Sequence, residues 1–167
     1  EKCAQLAHFD PTQPSKSLGR AASPPISRLG VGGYNYGEEC NSGIRVSFPQ
    51  NIGMAATFNR SLLRHEGRAI GLALRAQAFH PPVEPDANPH GYPGLSCWSP
   101  MINIMRHPLW GRNHEGYGEC PYLSGELTEQ MVLGMQGDDP RYALINAGCK
   151  HFAAFDGPGN SGEADIS

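Results

Sequence analysis

Charged and aromatic residues that can hydrogen-bond a polyhydroxylated ring are concentrated in one loop and at one later strand end. The apolar run of residues 99–105 leads into a loop, extending to residue 119, in which Arg, Glu, Tyr and Trp residues alternate with Pro and Gly. Further along, the chain carries the pair Lys150–His151. Arg and Lys donate hydrogen bonds, a carboxylate accepts them and an imidazole does either, so these groups together can hold the hydroxyls of one sugar ring.

These charges stand at particular places relative to the predicted strands. Six of them directly follow a strand: Glu38 and Glu39 after the first, Arg112 and Glu115 after the third, Lys150 and His151 after the fourth. In barrels of parallel strands, catalytic groups lie on the loops that leave the carboxyl ends of the strands. The alternative is that Glu39 and Arg45 form an exposed ion pair and that Lys150 is a solvated strand end, which is the default for charges on loops.

Alternating strands and helices must position these loops. Apolar residues recur at helical spacing over residues 60–79, and a second helix is predicted over 127–136. Strands are predicted over four segments: 28–35, 52–58, 96–104 and 143–153. This alternation is typical of βα units with a parallel sheet, and four units make about half of a (β/α)8 barrel of about 250 residues.

The remaining segments are predicted to be a helix end and loops, and the whole chain is predicted to be one portion of a domain. Residues 1–7 are predicted to be the end of a helix, 10–27 a loop, 80–95 a surface insertion with five prolines, and 155–167 a polar, Gly-rich loop. We therefore expect the 167 residues to be a fragment of a longer protein. A half barrel leaves sheet edges open, so we expect the rest of the protein or an assembly partner to cover four apolar side chains: Ile102, Ile104, Leu144 and Ile145.

Composition excludes several classes of protein. The net charge is −3 and the chain has no basic run, which disfavours a nucleic-acid partner. No apolar run reaches the roughly 18 residues of a membrane span. The five cysteines fit neither a dense disulfide scaffold nor a CxxC metal site, which favours buried or free thiols. The histidines show neither HxH nor HExxH spacing, so the sequence predicts no metal site.

Several ordered motifs resemble those of glycoside hydrolase family 3, the β-glucosidases and β-xylosidases. The segment 34–39, Tyr-Asn-Tyr-Gly-Glu-Glu, is similar to the Tyr-Asn-Trp-Trp-Ser-Glu segment of that family. Residues 47–58 resemble its Ser-Phe-Pro to Ala-Ala-Thr-Trp segment, and Trp110-Gly111-Arg112 and Lys150-His151-Phe152 match its motifs outright. The resemblance covers nearly the whole chain and is greater to the β-xylosidase branch.

The resemblance implies a fold and a function for residues 1–167. It implies an α/β fold, the N-terminal portion of a (β/α)8 TIM-type barrel, in a secreted β-glycosidase that needs no cofactor and binds a carbohydrate substrate. It places sugar-binding roles on Glu39, Arg112, Lys150 and His151, with Arg45 and Glu115 as weaker candidates. Family members retain configuration by using two carboxylates about 5 Å apart. By the resemblance, the nucleophile and the acid/base both lie outside this chain, which leaves it no catalytic residue.

Two departures from the family pattern keep a second hypothesis open. His107 and Cys120 stand where the family usually has Asp, and Leu109 replaces a common Arg. A carboxylate that holds loop amides has no isosteric substitute in an imidazole or a thiol. The alternative is a catalytically degenerate family member that acts as a carbohydrate-binding or structural protein.

Two short motifs are ambiguous or misleading. Asn59-Arg60-Ser61 is a glycosylation sequon, but Asn59 would also serve as the N-cap of the predicted helix. The stretch 157–162 fits GxGxxG without the helix and the acidic residue that a dinucleotide site requires. The sequence therefore predicts no nucleotide cofactor.

Overall fold

The computed structural model describes residues 22–37, 39–44, 46–79 and 94–157 of the chain. The helices and strands in these ranges, in chain order, are β1 (Ala22–Ser23), β2 (Tyr34–Asn35), α1 (Asn51–Ala55), α2 (Arg60–Phe79), β3 (Ser96–Cys97), α3 (Pro121–Gln136) and β4 (Asn146–Ala147). Two 3-10 turns, Ser27–Leu29 and Asn113–Glu115, lie between them. The predicted helix at residues 1–7 lies outside the described residues. Most of the insertion at 80–95 also lies outside them, and so does most of the GxGxxG stretch at 157–162.

Two long helices form the largest packing contact. Helix α2 buries Leu63, Ile70 and Leu74 at helical spacing, and α3 buries Leu127 and Met131 on the face that meets it. The Asn59 side chain accepts the amide of Leu62 at 3.1 Å, so α2 begins with the predicted N-cap.

Both predicted helices are present, with one boundary changed. The helix predicted over residues 60–79 is confirmed at its full length. The helix predicted over 127–136 begins earlier, at Pro121, because proline is favourable in the first turn, where its missing N–H costs no bond.

The predicted third and fourth strands pair in parallel, but only over short ladders. Residue Ser96 pairs with Asn146 and Cys97 with Ala147, and an isolated parallel bridge joins Met101 to Lys150. The ladder is interrupted where Pro100, which has no N–H to donate, lies between these pairs. The parallel pairing is as predicted, whereas the predicted lengths of 96–104 and 143–153 are wrong.

The N-terminal part departs most from the prediction. The predicted strand 52–58 is wrong, because Asn51, Met54 and Ala55 are buried at helical spacing and form α1. The predicted strand 28–35 is reduced to β2, which pairs antiparallel with β1 around a turn whose Gly30 has φ 65°. The α/β class is thus observed. The partial barrel remains a prediction, and its predicted second βα unit lacks the strand at 52–58.

The predicted apolar strand faces differ in how far they are buried. Ile145 is fully buried and Ile104 and Leu144 are half-buried, whereas Ile102 leaves 43% of its surface exposed.

Over the described helices, no segment has both the length and the apolar character needed to cross a membrane.

A disulfide between Cys40 and Cys97 joins the loop after β2 to β3, with Cα atoms 5.6 Å apart. The expectation of thiols is therefore wrong for these two residues, because the loop returns to β3 in a register that brings their side chains together. Cys120 and Cys149 are exposed free thiols. Both bridged cysteines are completely buried and belong to the core cluster.

Candidate functional site

Three loops bring five of the predicted site residues into one group, which we call the charged cluster. Glu39 comes from the loop after β2, Arg112 and Glu115 from the loop that follows the Met101 bridge, and Lys150 and His151 from the segment after β4. The amide of Ile102 donates to the carbonyl of Lys150 at 2.7 Å, which fixes the second loop against the third. The predicted residue Arg45 lies outside the described residues.

An ion pair between Arg112 and Glu115 forms the centre of the charged cluster. The 3-10 turn Asn113–Glu115 brings the two side chains to one side, and Nε and Nη2 of Arg112 donate to the two carboxylate oxygens at 2.5 and 2.7 Å. The hydrogen bonds to Glu115 raise the pKa of Arg112. Burial tends to raise the pKa of Glu115, but the bonds from Arg112 and the charges of Arg112 and Lys150 hold it below its usual range. Both groups are therefore charged at neutral pH.

Lys150 links this pair to Glu39. Its ammonium lies 2.5 Å from Oε2 of Glu39 and 3.8 Å from Oε2 of Glu115. The Lys150 side chain is only 13% exposed, whereas the Glu39 side chain is 55% exposed. The alternative of a solvated Lys150 is therefore wrong, and the cluster presents Glu39 as its most accessible carboxylate.

His151 closes the cluster on its aromatic side. Its Nε2 lies 3.2 Å from Nη1 of Arg112, and its ring lies 4.6 Å from that of Phe155, centroid to centroid. Phe155 also lies under the Arg112 guanidinium, at 5.7 Å, and contacts the buried Trp110 edge-on. Burial first, and then the charges of Arg112 and Lys150, lower the pKa of His151.

Four buried polar residues that sequence reasoning did not single out hold the cluster in place: Asn41, Asn51, Ser99 and Asn103. Asn41 donates to Oε2 of Glu115 at 3.1 Å and accepts from Asn51 at 3.1 Å and from Ser99 at 3.3 Å. Asn51 also donates to the Glu115 carbonyl at 2.7 Å. Three of the four stand in segments that the sequence analysis marked, Asn51 in 47–58 and Ser99 and Asn103 in 99–105, which is the signal that could have found them.

A polar cleft of about 350 Å³ opens beside the cluster. Its walls include Glu39, Arg112 and Glu115, together with Gln50 and His114. Lys150 and His151 are not among its lining residues, although Lys150 pairs with Glu39 and His151 contacts Arg112. The cleft offers hydrogen-bond donors and acceptors of both charges to a polar ligand.

The two residues that depart from the family pattern have different surroundings. The amide of Leu109 donates to Nδ1 of His107 at 3.1 Å, and the His107 carbonyl accepts from the Asn113 side chain at 2.9 Å. Cys120 precedes α3 and makes no side-chain cap. The imidazole thus holds a loop amide, and the thiol holds none.

Within the described ranges, no three His, Cys, Asp or Glu side chains lie close enough together to bind a metal ion.

Comparison with known proteins gives one family. Residues 93–165 match the family model described as the glycosyl hydrolase family 3 N-terminal domain. A xylan 1,4-β-xylosidase of Xylanibacter ruminicola is 39% identical over 142 residues, which are 81% of this chain and 16% of that protein. β-D-Xylosidase 1 of Arabidopsis thaliana is 36% identical, over 78% of this chain and 18% of its own length.

Solved structures agree with the sequence comparisons. A family 3 exo-β-xylosidase, XlnD, in complex with a xylobiose aziridine probe, has a TM-score of 0.64 and 31% identity over 80% of this chain and 18% of its own. β-Glucosidase 3B of Thermotoga neapolitana, in complex with α-D-glucose, has a TM-score of 0.64 and 29% identity, over 81% of this chain and 18% of its own. The chain thus spans less than a fifth of the length of these relatives.

Proposed function

Because the chain belongs to glycoside hydrolase family 3 and matches its N-terminal domain, we propose that it supplies the sugar-binding half of the active site of a retaining β-glycosidase. The substrates are terminal β-linked xylosides or glucosides, as the names of its relatives indicate. The observation that carries the proposal is the convergence of the charged cluster from three separate loops.

The unused hydrogen-bonding capacity of the cluster is suited to a sugar ring. Arg112 has five N–H donors, one on Nε and two on each terminal nitrogen. Nε and Nη2 each donate one to Glu115, and Nη1 donates one to His151. One N–H on Nη1 and one on Nη2 therefore remain unused. The Lys150 ammonium has three donors, of which one is directed to Glu39 at 2.5 Å. Glu39 is exposed and can accept two sugar hydroxyls, as ionised carboxylates do. Donors and acceptors for adjacent hydroxyls are thus available within one group.

Catalysis then requires groups from the longer protein. Retaining hydrolysis uses a nucleophilic carboxylate and an acid/base about 5 Å apart, and we place both outside residues 1–167. The chain would form the N-terminal portion of a (β/α)8 barrel, packed against the remainder of the protein or an assembly partner. The 43% exposure of Ile102, an apolar residue beside the parallel ladder, is consistent with such a neighbour.

Secretion is the second part of the proposal. The Cys40–Cys97 disulfide supports it, because disulfides persist in oxidising compartments. Asn59 is exposed and so is open to the glycosylation that its sequon allows, although its side-chain oxygen already caps α2.

A catalytically degenerate protein that only binds carbohydrate is the second candidate function. The observation that favours it is Cys120, which caps no amide where the family usually has a carboxylate. His107 favours the enzyme instead, because its Nδ1 accepts a hydrogen bond from the Leu109 amide. The two candidates share the sugar-binding cluster and differ in turnover.

The binding test uses the purified full chain and NMR titration with methyl β-xyloside and methyl β-glucoside. We expect shifts at the cluster with at least one sugar, and their loss in Arg112→Ala, which removes the central donor. Arg68→Ala is the matched control, because Arg68 is an exposed arginine on α2 that pairs with Asp138. Absence of binding, or equal binding by Arg112→Ala, would contradict the proposal.

The turnover test separates the two candidate functions. The 167-residue chain by itself should not hydrolyse aryl β-xylosides or β-glucosides, since positioning groups without a nucleophile give no covalent route. Turnover that is retained after repeated purification and lost in Arg112→Ala would overturn this expectation. Hydrolysis by the longer protein identifies an enzyme, and sugar binding without hydrolysis identifies the degenerate alternative.

A further inference from the structure

The contacts of His151 determine which of its ring nitrogens carries a proton. Nη1 of Arg112 lies 3.2 Å from Nε2, and a guanidinium nitrogen can only donate. Nε2 must therefore be the unprotonated acceptor. In a neutral imidazole the proton is then on Nδ1.

The partner of Nδ1 is the side chain of Asn103. Its Oδ1 lies 3.1 Å from Nδ1 and also accepts the backbone amide of His151 at 2.8 Å. Because a backbone N–H can only donate, the atom facing it is the amide oxygen, and the orientation of the Asn103 side chain is defined. Asn103 is 7% exposed, so water does not compete effectively for this oxygen.

We propose that Asn103 is a positioning residue that holds His151 as the neutral, Nδ1-protonated tautomer, so that Nε2 accepts from Arg112 and sets the direction of its guanidinium. Three side chains from two loops thus contact one another in sequence. Asn103 contacts one nitrogen of the His151 ring, and Arg112 contacts the other. Asn103 itself would touch no substrate.

The charges around His151 favour the same state. Arg112 and Lys150 oppose the imidazolium, while Glu115 and Glu39 favour it, and with burial the balance lowers the pKa of His151. An imidazolium would carry a proton on Nε2, directed at the Arg112 donor. Protonation would therefore break the contact that orients the guanidinium.

The consequence for sugar recognition rests on the proposed function, whereas the tautomer does not. The two unused Arg112 donors point where the contacts to Glu115 and His151 direct them. A ring flip or a tautomer change at His151 would leave only the contacts to Glu115. Sugar affinity would fall even though every cluster side chain is still present.

The test is a two-bond ¹⁵N–¹H correlation on the full chain labelled at its histidine ring nitrogens, near pH 7. His151→Gln identifies the His151 signals among the seven histidines. In the unmodified chain we expect the proton on Nδ1. Asn103→Ala no longer holds the ring against Arg112, so in this variant we expect a larger share of the Nε2-protonated form that free histidine favours. A proton on Nε2 in the unmodified chain would overturn the proposal.

Asn103→Asp keeps the test decisive should the Ala variant fail to fold. Aspartate preserves the acceptor and adds a charge, so we expect the Nδ1 proton to be retained and the pKa of His151 to rise. Asn146→Asp is the matched control, because Asn146 is exposed and bonds the hydroxyls of Tyr34 and Ser96, which can donate to a carboxylate, and not the His151 ring. An equal shift of His151 in both variants, or none in Asn103→Asp, would contradict the proposal. Failure of sugar binding with the expected tautomer would contradict the proposed function alone.

Discussion

At the scale of single residues, Glu115 holds the charged cluster together. Its carboxylate accepts two bonds from Arg112 and one from Asn41, and Lys150 lies at 3.8 Å. Its carbonyl accepts from Asn51 at 2.7 Å. With its oxygens already engaged and only 16% of its side chain exposed, we expect Glu115 to orient Arg112 rather than to contact a sugar.

Glu115→Gln tests this role through pH dependence. A depressed pKa in the folded state means that the carboxylate stabilises the fold above its ordinary pKa, and that this contribution is lost as pH falls through the folded value. We expect the substitution to lower the free energy of unfolding by about 2 kcal/mol at pH 7, and by much less near pH 3. Urea unfolding at both pH values measures it, with the exposed Glu129→Gln as control. An equal loss at the two pH values would contradict the assignment.

At the scale of elements, the α2–α3 contact depends on glycines that let the two backbones approach closely. A Cβ on Gly67 would meet the carbonyl of Met131, and one on Gly71 would meet that of Met135. The residue numbers at these contacts increase along both helices, from Gly67 to Gly71 in α2 and from Met131 to Met135 in α3. The helices α2 and α3 therefore run in the same direction. This is the arrangement that successive helices adopt beside a parallel strand pair.

Gly134→Ala tests the close approach. A Cβ at this position would meet the carbonyl of Arg64 and the amide of Arg68, which are backbone atoms that cannot move aside cheaply. We expect a loss of about 2 kcal/mol in the free energy of unfolding, as in overpacked interiors. Gly125→Ala in the same helix is the control, because its Cβ meets nothing within 4 Å, and the better helix propensity of alanine should stabilise by up to about 1 kcal/mol. Two changes of the same sign would contradict the packing argument.

A buried carboxylic acid in α2 makes a second prediction at this scale. Glu66 is 3% exposed, and within the described residues neither of its oxygens has a hydrogen-bond partner. Burial raises its pKa from the ordinary 4.5 to about 7. The folded chain therefore keeps a proton that the unfolded chain loses, and stability should fall by about 3 kcal/mol as pH rises from 4.5 to 7.

Glu66→Gln measures that contribution. The amide is neutral at every pH, so we expect the variant to lose much of the decline in unfolding free energy between pH 5 and pH 7. Chemical denaturation across this range gives the slope, and Glu129→Gln, an exposed position on α3, should keep the full decline. A Glu66→Gln variant with an unchanged slope would show that another group titrates.

At the scale of the whole molecule, the Cys40–Cys97 disulfide connects the first half of the chain to the parallel strand pair. Glu39 precedes Cys40 and Asn41 follows it, so the bridge also anchors the loop that supplies one carboxylate of the cluster and one of its supports. The amide of Asn41 donates to Oε1 of Glu39 at 3.0 Å, which ties the two residues together.

Replacement of both cysteines, Cys40→Ser with Cys97→Ser, should destabilise the chain by about 4 kcal/mol. The sequence separation is 57 residues, and the entropy of closing a loop of that size in the unfolded state gives this magnitude. Denaturant unfolding measures it, and reduction of the unmodified chain should reproduce the loss. The pair Cys120→Ser with Cys149→Ser is the control, since both thiols are free, and an equal effect there would contradict the role of the bridge.

Features that depend on local pattern could be predicted from the sequence. Apolar spacing defined the α2 helix at its observed ends, and the segments 96–104 and 143–153 were predicted as two strands, which do pair in parallel. The types and strand-end positions of Arg112, Lys150 and His151 predicted that they would meet. These inferences succeeded because periodicity reports which face of an element is buried, and because parallel strands end at one edge.

Features that depend on which distant segments come together in space could not be predicted in this way. The predicted strand at residues 52–58 is a short helix, since a brief apolar run has no period that separates the two states. The pairing of Cys40 with Cys97 and the contact of Asn103 with the His151 ring join residues 57 and 48 positions apart. Such contacts require the distance between two loops in space, which the backbone sets through packing, and residue type alone carries no record of it.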